Sequence, residues 1–225
     1  TTLRKKVFDI AAGVMECASD DLELADGAVR LRGVPGRALT LREIALHAAP
    51  GSPTRPAGIS AGLEATEYFE PPTVTWAHSI HAVTVEVDAE TGDVQIQRYA
   101  IAHDAGVILN PMIADGQILG GAVQGIGGVL FERIVYDANG QPLAGSLLDY
   151  ALPTAASMPS IEIRHRETPS KLNELGVKGL GEGAIIGPPA AIVNAICDAL
   201  SPLGFEWNTS FVDRFAIVKA LQQGK

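Results

Sequence analysis

Residues 81–102 have the sequence HAVTVEVDAETGDVQIQRYAIA, and this stretch decides which fold the chain can adopt. Apolar and polar residues alternate over 81–88 and again over 94–102, a period typical of half-buried strands. The residues between them, Glu90-Thr91-Gly92-Asp93, have the composition of a tight turn. The stretch therefore predicts an antiparallel hairpin closed by that turn.

Helices and further hairpins are predicted on both sides of this hairpin. The first helix, over 2–18, has apolar residues at helical spacing, and the second begins at Thr40, where Thr40 and Glu43 match a capping box. Helices are also predicted over 111–132, 188–200 and 210–222, hairpins at 21–33 and 139–140, and a strand over 161–167. Because helices and hairpins are mixed, the sequence predicts the α+β class, with antiparallel hairpins packed against helices.

The composition excludes several classes of protein. A chain of 225 residues suits one large domain or two small intertwined ones. Its net charge of -9 argues against a nucleic-acid backbone as partner. No apolar run reaches the roughly 18 residues that a membrane span needs. The two cysteines, Cys17 and Cys197, are too few for a disulfide framework, so we expect a reducing compartment, the cytoplasm.

The segment GVKGLGEGAIIGPP at 176–189 carries the strongest indication of chemistry. Its five glycines allow the backbone to approach a bulky ligand, and the N–H groups that begin the following helix suit an anionic group. Glu182 lies between Gly181 and Gly183. In a closed pocket, desolvation would raise the pKa of this carboxyl group and make it a usable general base. The alternative is a glycine-rich surface turn with a solvated glutamate.

A second glycine-rich segment, GQILGGAVQGIGG at 116–128, lies inside the predicted long helix. Each glycine there costs about 1 kcal/mol relative to alanine, so we expect a close backbone or a ligand to compensate. Gln117 and Gln124 are seven residues apart and therefore lie near one helix face. Their carboxamides suit a polar cofactor. The alternative is close helix packing through small residues, with exposed glutamines.

Six segments in a fixed order resemble one protein family. They are HAVTVEVDAETGDVQIQRYAIAHDAGVILNP (81–111), GQILGGAVQGIGGVLFE (116–132), DYALPT (149–154), ETPS (167–170), GVKGLGEG (176–183) and NAICDAL (194–200). Together they resemble the C-terminal region of the molybdopterin-binding large subunit in the xanthine dehydrogenase/aldehyde oxidase/aerobic carbon monoxide dehydrogenase family. A weaker match over 3–33 extends the resemblance over almost the whole chain.

The resemblance implies roles for particular residues. Glu182 corresponds to the family's general base, which acts toward a molybdenum-bound hydroxyl group. Gln124 corresponds to a glutamine that contacts the pterin. The other residues implied to lie beside the cofactor are Gly121, Gly125, Lys178, Gly179 and Gly181. No residue is implied to bind metal directly, since the pterin holds the molybdenum.

The resemblance also implies what surrounds the chain. Residues 1–225 correspond to the C-terminal half of the molybdenum-cofactor-binding domain, with the upstream part of the subunit absent or on another chain. The cofactor is expected to be molybdenum-molybdopterin in its cytosine dinucleotide form, with iron–sulfur clusters and FAD on partner subunits. The implied activity is oxidation of an aldehyde, an N-heterocycle or a related small molecule, with water as oxygen source. Two other functions stay open: a non-catalytic assembly domain and a nucleotide-binding module.

Overall fold

A computed structural model describes residues 2–34 and 36–223, and the chain divides into two compact units. The first unit is Thr1–Glu70 and the second is Pro71–Lys225. Each unit is built around its own cluster of buried apolar side chains. No helix in the described part of the chain is both long and apolar enough to cross a membrane.

The first unit combines two helices with a small sheet. Its elements are α1 (Thr2–Met15), β1 (Leu22–Ala25), β2 (Ala28–Leu31), β3 (Ala38–Thr40) and α2 (Leu41–Ala48). The predicted hairpin turns at Asp26 and Gly27, whose φ angles of 50° and 72° match the twist of the two strands. The predicted capping box at Thr40 is confirmed, because the Glu43 amide donates to the Thr40 hydroxyl at 3.2 Å and the Thr40 amide donates to the Glu43 carboxylate at 2.8 Å.

The predicted central hairpin forms one side of the second unit's sheet. Strands β4 (His78–Val87) and β5 (Val94–Asp104) pair antiparallel, as the sequence predicts. Strand β6 (Ile161–His165) adds to the other side of β5, but it runs parallel to β5. A parallel neighbour needs a long crossover, and the chain between β5 and β6 contains the helix α3 (Pro111–Leu130). The α+β class is confirmed, with this one parallel pair added.

Helices α3, α4 (Gly187–Leu200) and α5 (Arg214–Gln223) complete the second unit. Asn110 begins α3 as an N-cap, since its side-chain oxygen accepts from the Ile113 amide at 3.2 Å. The buried apolar side chains of α3 and α4 share one cluster with the sheet. Beside that cluster α3 approaches the start of α4 closely: a methyl group at Gly125 would lie 2.6 Å from Cγ of Pro188 and 3.1 Å from the backbone carbonyl oxygen of Ile185. The expected close approach of another backbone is therefore found, and it compensates for glycine inside α3.

Two helix boundaries differ from the prediction by three residues or more. The first helix ends at Met15 rather than at residue 18, because Glu16 has a φ of 52° that no right-handed helix contains. The last helix begins at Arg214 rather than at residue 210, since the amide of Val212 donates to the Val129 carbonyl at 2.9 Å and holds the chain extended. Periodicity shows neither the left-handed backbone at Glu16 nor the hydrogen bond from Val212 to Val129.

Candidate functional site

The glycine-rich segment 176–189 lies against the end of strand β5. Val177 forms an antiparallel bridge with Gly106. The amide of Lys178 donates to the Ala105 carbonyl at 2.8 Å, and the amide of Val107 donates to the Gly176 carbonyl at 3.1 Å. The first residues of the segment are therefore fixed to the sheet, and this anchor defines where the following Glu182 turn can lie.

A largely buried ion pair strengthens this anchor. The Lys178 ammonium lies 3.2 Å from the Asp104 carboxylate, and their side chains are only 12% and 14% exposed. The same carboxylate accepts from the amides of Gly106 at 2.9 Å and Thr168 at 3.2 Å. Burial alone raises the pKa of Asp104, but the hydrogen bonds from Thr168, Gly106 and Lys178 outweigh it and hold that pKa well below its usual range. Asp104 therefore stays ionised, and the Lys178 side chain faces it.

Glu182 lies at the tip of a turn whose backbone is held on both sides. The Gln117 side chain of α3 donates to the Gly181 carbonyl at 2.9 Å. The Ser79 hydroxyl of β4 donates to the Gly183 carbonyl at 2.6 Å. The amide of Ile185 donates to the carbonyl of Glu182 itself at 3.2 Å. Three consecutive carbonyls therefore have partners, while the side chain of Glu182 is exposed. This chain by itself does not form the closed pocket that the sequence led us to expect around Glu182.

Two histidine rings lie directly under this turn. His103 on β5 is 1% exposed, and a methyl group at Gly183 would overlap its Nε2 atom. His81 on β4 occupies the equivalent space beside Gly187, where a methyl group would come within 2.6 Å of its ring carbon Cγ. Both glycines are therefore required by space, because neither has a positive φ angle. This histidine layer is not predictable from sequence motifs, since the loop and the two strands are far apart in the chain.

The electrostatics of these rings favour their neutral form. Burial lowers the pKa of His103, and the nearby ring of His165 lowers it further. Burial also lowers the pKa of His81, although the backbone of Gly183 opposes that shift. Nδ1 of His81 lies 3.0 Å from the Tyr99 hydroxyl. Both shifts favour neutral imidazole rings under the turn.

The exposed side of α3 forms the wall beside Glu182. Gln117, Gly120 and Gln124 follow one another at helical spacing, and all three are exposed. Gln117 reaches Gly181, which places this stripe next to the Glu182 turn. A methyl group at Gly120 or at Gly181 would meet no atom within 4 Å. The result is an open, backbone-rich surface with carboxamide donors, which fits the polar edge of a pterin.

The other residues implied to contact a cofactor lie in different surroundings. Gly121 and Gly125 are buried on the adjoining face of α3, which packs against residues 184–188, and Cβ of Ala184 lies 3.3 Å from the methyl position of Gly121. Gly179 is exposed, and its amide donates to the Thr75 carbonyl at 2.9 Å. The structure thus places Gln117 against the turn that carries Gly181 and Glu182, and Gln124 is exposed seven residues further along α3. The structure gives Gly121 and Gly125 a packing reason to be glycine.

A separate groove lies away from this surface. A groove of about 340 Å³ crosses the sheet and is lined by residues such as Ala82, Arg98 and Glu162, none of which belongs to the 176–189 segment. Among the residues that the structure describes, no group of three or more His, Cys, Asp or Glu side chains could hold a metal ion.

Comparison of the sequence with known proteins identifies a matching family and several relatives. Residues 1–159 match the family model of the molybdopterin cofactor-binding domain. The nicotine 6-hydroxylase large subunit of Paenarthrobacter nicotinovorans is 41% identical over 202 residues, which cover 90% of this chain and 25% of that protein. The carbon monoxide dehydrogenase large chain of Hydrogenophaga pseudoflava is 33% identical, with coverages of 90% and 25%. The chain thus spans about a quarter of the length of these relatives.

A solved structure extends the comparison to the Glu182 turn, which lies beyond the family match. The crystal structure of quinoline 2-oxidoreductase from Pseudomonas putida 86 is similar with a TM-score of 0.86 and 38% identity. The similarity covers 99% of this chain and 28% of that chain. The fold described above, including the 176–189 segment, is therefore shared with part of that oxidoreductase.

Proposed function

The chain belongs to the molybdopterin cofactor-binding domain family, as found in large subunits of the xanthine dehydrogenase and carbon monoxide dehydrogenase type, and from this premise we propose that it is part of a molybdenum hydroxylase. The proposed reaction is the oxidation of an aldehyde, an N-heterocycle or a related small molecule, with water as oxygen source. Two of the similar proteins are named for nicotine and quinoline, which are nitrogen heterocycles, and this favours the N-heterocycle class.

The proposed catalytic residue of this chain is Glu182, as general base. When bound, the molybdenum cofactor supplies Lewis acidity and accepts the electrons that leave the substrate. Glu182 takes up the proton that the water-derived nucleophile must lose. The observation that carries this role is the geometry of the turn: an exposed carboxylate on a backbone with three hydrogen-bonded carbonyls, next to an open polar stripe. A general base needs such a fixed direction toward the proton that it removes.

The residues proposed to hold the cofactor lie around this surface. Gln124 would donate to the pterin, with Gly179 and Gly181 as close backbone neighbours. Gly121 and Gly125 would act through the close packing of α3 on the start of α4, which sets the position of the stripe. Lys178 would contribute through its backbone, because its ammonium group faces Asp104.

The partners of the chain follow from the same proposal. We expect the remaining part of the large subunit, an iron–sulfur subunit, an FAD subunit and the cytosine dinucleotide form of the cofactor. The relatives named above are called a large subunit and a large chain, which supports an assembly of several chains. A cytoplasmic location is part of the proposal, supported by Cys17 and Cys197, both of which are free thiols in the described part of the chain.

The decisive experiment is Glu182→Gln in the assembled enzyme. The amide keeps the size of the side chain but cannot accept the proton, so turnover should fall by a factor of roughly 10²–10⁴ or more. Molybdenum and pterin contents should remain those of the wild type. The matched control is Glu206→Gln, the same change at an exposed glutamate outside the 176–189 segment. Near-normal turnover in Glu182→Gln contradicts its role as base. A complex that contains neither molybdenum nor pterin indicates a non-catalytic assembly domain.

A further inference from the structure

We propose that Ser79 and His103 are positioning residues that fix the direction of Glu182 by holding the next residue, Gly183. The inference rests on the proposed role of Glu182 as general base. Ser79 acts from strand β4 through a hydrogen bond, and His103 acts from strand β5 through its shape. Neither side chain needs to touch substrate or cofactor for this role.

The hydrogen bond from Ser79 fixes the peptide group that follows Gly183. The Ser79 hydroxyl lies 2.6 Å from the Gly183 carbonyl oxygen, and the two residues are 104 positions apart in sequence. On the other side of Glu182, Gln117 holds the Gly181 carbonyl. With both neighbouring carbonyls fixed, the backbone of Glu182 cannot rotate freely, so the direction of its Cα–Cβ bond is set. A loop of glycines would otherwise have more conformational freedom than any other sequence.

The ring of His103 supplies the surface on which Gly183 lies. The ring is 1% exposed, and neither ring nitrogen has a hydrogen-bond partner among the described residues. An unpartnered buried polar group costs about 1–3 kcal/mol. No hydrogen bond within the described residues offsets this cost, so the contribution of His103 to the turn is the space that its ring fills. Because the Nε2 atom occupies the methyl position of residue 183, the ring keeps that residue a glycine and the turn close to the sheet.

Loss of this support should act on the chemical step rather than on cofactor binding. A small displacement of a general base can lower the rate by up to about a hundredfold, whereas a single hydrogen bond contributes about 1 kcal/mol. We therefore expect a kcat about five- to tenfold lower in Ser79→Ala, with little change in KM. Ser79→Thr keeps the hydroxyl group and should restore most of the lost rate.

The experiment compares Ser79→Ala, Ser79→Thr and Ser201→Ala in the assembled enzyme. Ser201 also donates its hydroxyl to a backbone carbonyl, that of Asp198 at 2.8 Å, so Ser201→Ala removes the same kind of bond outside the site. Steady-state kinetics, molybdenum content and amide hydrogen exchange over 180–187 are measured for each. We expect the molybdenum content to be unchanged in all three variants. Only Ser79→Ala should show a lower kcat and faster amide exchange over 180–187. Values in Ser79→Ala that equal those of Ser201→Ala overturn the assignment of Ser79.

A size exchange tests His103 separately. Gly183→Ala should lower kcat, because its methyl group overlaps the His103 ring. The double variant Gly183→Ala/His103→Ala removes the ring that the methyl group meets, so its hydrogen exchange over 180–187 should be slower than that of Gly183→Ala alone. Exchange that is not slower in the double variant overturns the contact.

Glu182→Gln, measured in parallel, separates this inference from the proposed function. Near-normal turnover in Glu182→Gln overturns both, because Ser79 and His103 would then position no base. Lost turnover in Glu182→Gln, together with unchanged kcat in Ser79→Ala and Gly183→Ala, overturns the positioning role alone.

Discussion

Replacing Asp104 by asparagine should loosen the anchor of the 176–189 segment by about 2–3 kcal/mol. Asparagine keeps an oxygen that can accept from the amides of Gly106 and Thr168, so the loss is confined to the contact with Lys178. A hydrogen bond between charged groups contributes about 1.5–3 kcal/mol, and breaking a buried ion pair costs about 3–5 kcal/mol. Since the two side chains remain 14% and 12% exposed, water reaches the lysine and the expected value lies near the lower of these ranges.

Hydrogen exchange in the assembled enzyme measures this loss where it occurs. The amide of Lys178 donates to Ala105 and the amide of Val107 donates to Gly176, so both report on opening of the anchor. A loss of about 2–3 kcal/mol corresponds to roughly 30- to 150-fold faster exchange at these two amides, since each 1.4 kcal/mol is a factor of ten. Amides elsewhere in the unit should change little.

The matched control is an exposed ion pair in the first unit. The Lys5 ammonium lies 2.6 Å from the Asp9 carboxylate on α1, but the side chains are 76% and 35% exposed. A pair of this kind contributes no more than about 0.5 kcal/mol, so Asp9→Asn should accelerate exchange in α1 by a factor of about two at most. If Asp104→Asn changes exchange no more than Asp9→Asn does, the ion pair does not anchor the segment and the reasoning is wrong.

Two other predictions concern the packing and the protonation of the same region. Gly125→Ala should destabilise the enzyme by about 1–3 kcal/mol, because the added methyl group meets Pro188 and this outweighs the higher helix propensity of alanine. The control is Gly128→Ala, whose methyl group meets no atom within 4 Å. In the same thermal melts, Gly128→Ala should be neutral or stabilising. Burial holds the pKa of His103 below its usual value of 6.5, so the unfolded chain binds more protons and stability should fall as the pH drops from about 6.5 through the folded pKa. Melting temperatures between pH 7.5 and 5.5 should therefore fall less in His103→Phe than in the wild type, and equal slopes would contradict a buried neutral ring at this position.

Local patterns predicted those parts of the fold that depend on nearby residues. The hairpin over 21–33 and the capping box at Thr40 each depend on a few neighbouring residues, and both are found. The parallel pairing of β5 with β6 was not predicted, because it depends on where the α3 crossover returns the chain. Strand periodicity gives the buried face of a strand but not its neighbour.

In the candidate site, too, sequence patterns predicted the local features but not the contacts between distant residues. The glycine pattern around Glu182 identified the turn, and the spacing of Gln117 and Gln124 identified their shared helix face. The supporting contacts were not accessible from sequence, because Ser79 and Gly183 are 104 positions apart and no motif connects them. His103 was visible only as one of five histidines, and its position next to Gly183 follows from the register of the sheet.

Glu182 combines an exposed side chain with a backbone that is fixed by hydrogen bonds, and this combination suits a chain that forms one wall of the proposed active site. Ordering the backbone of one residue costs about 1–2 kcal/mol, and here Gln117, Ser79 and Ile185 have already ordered the backbone around Glu182. In the proposed assembly, the cofactor and the covering polypeptide would enclose the turn, and only the side-chain rotamer of Glu182 would remain to be ordered. The exposure of Glu182 in this chain is therefore compatible with a preorganised base, since preorganisation depends on the backbone contacts and desolvation on the walls that complete the site.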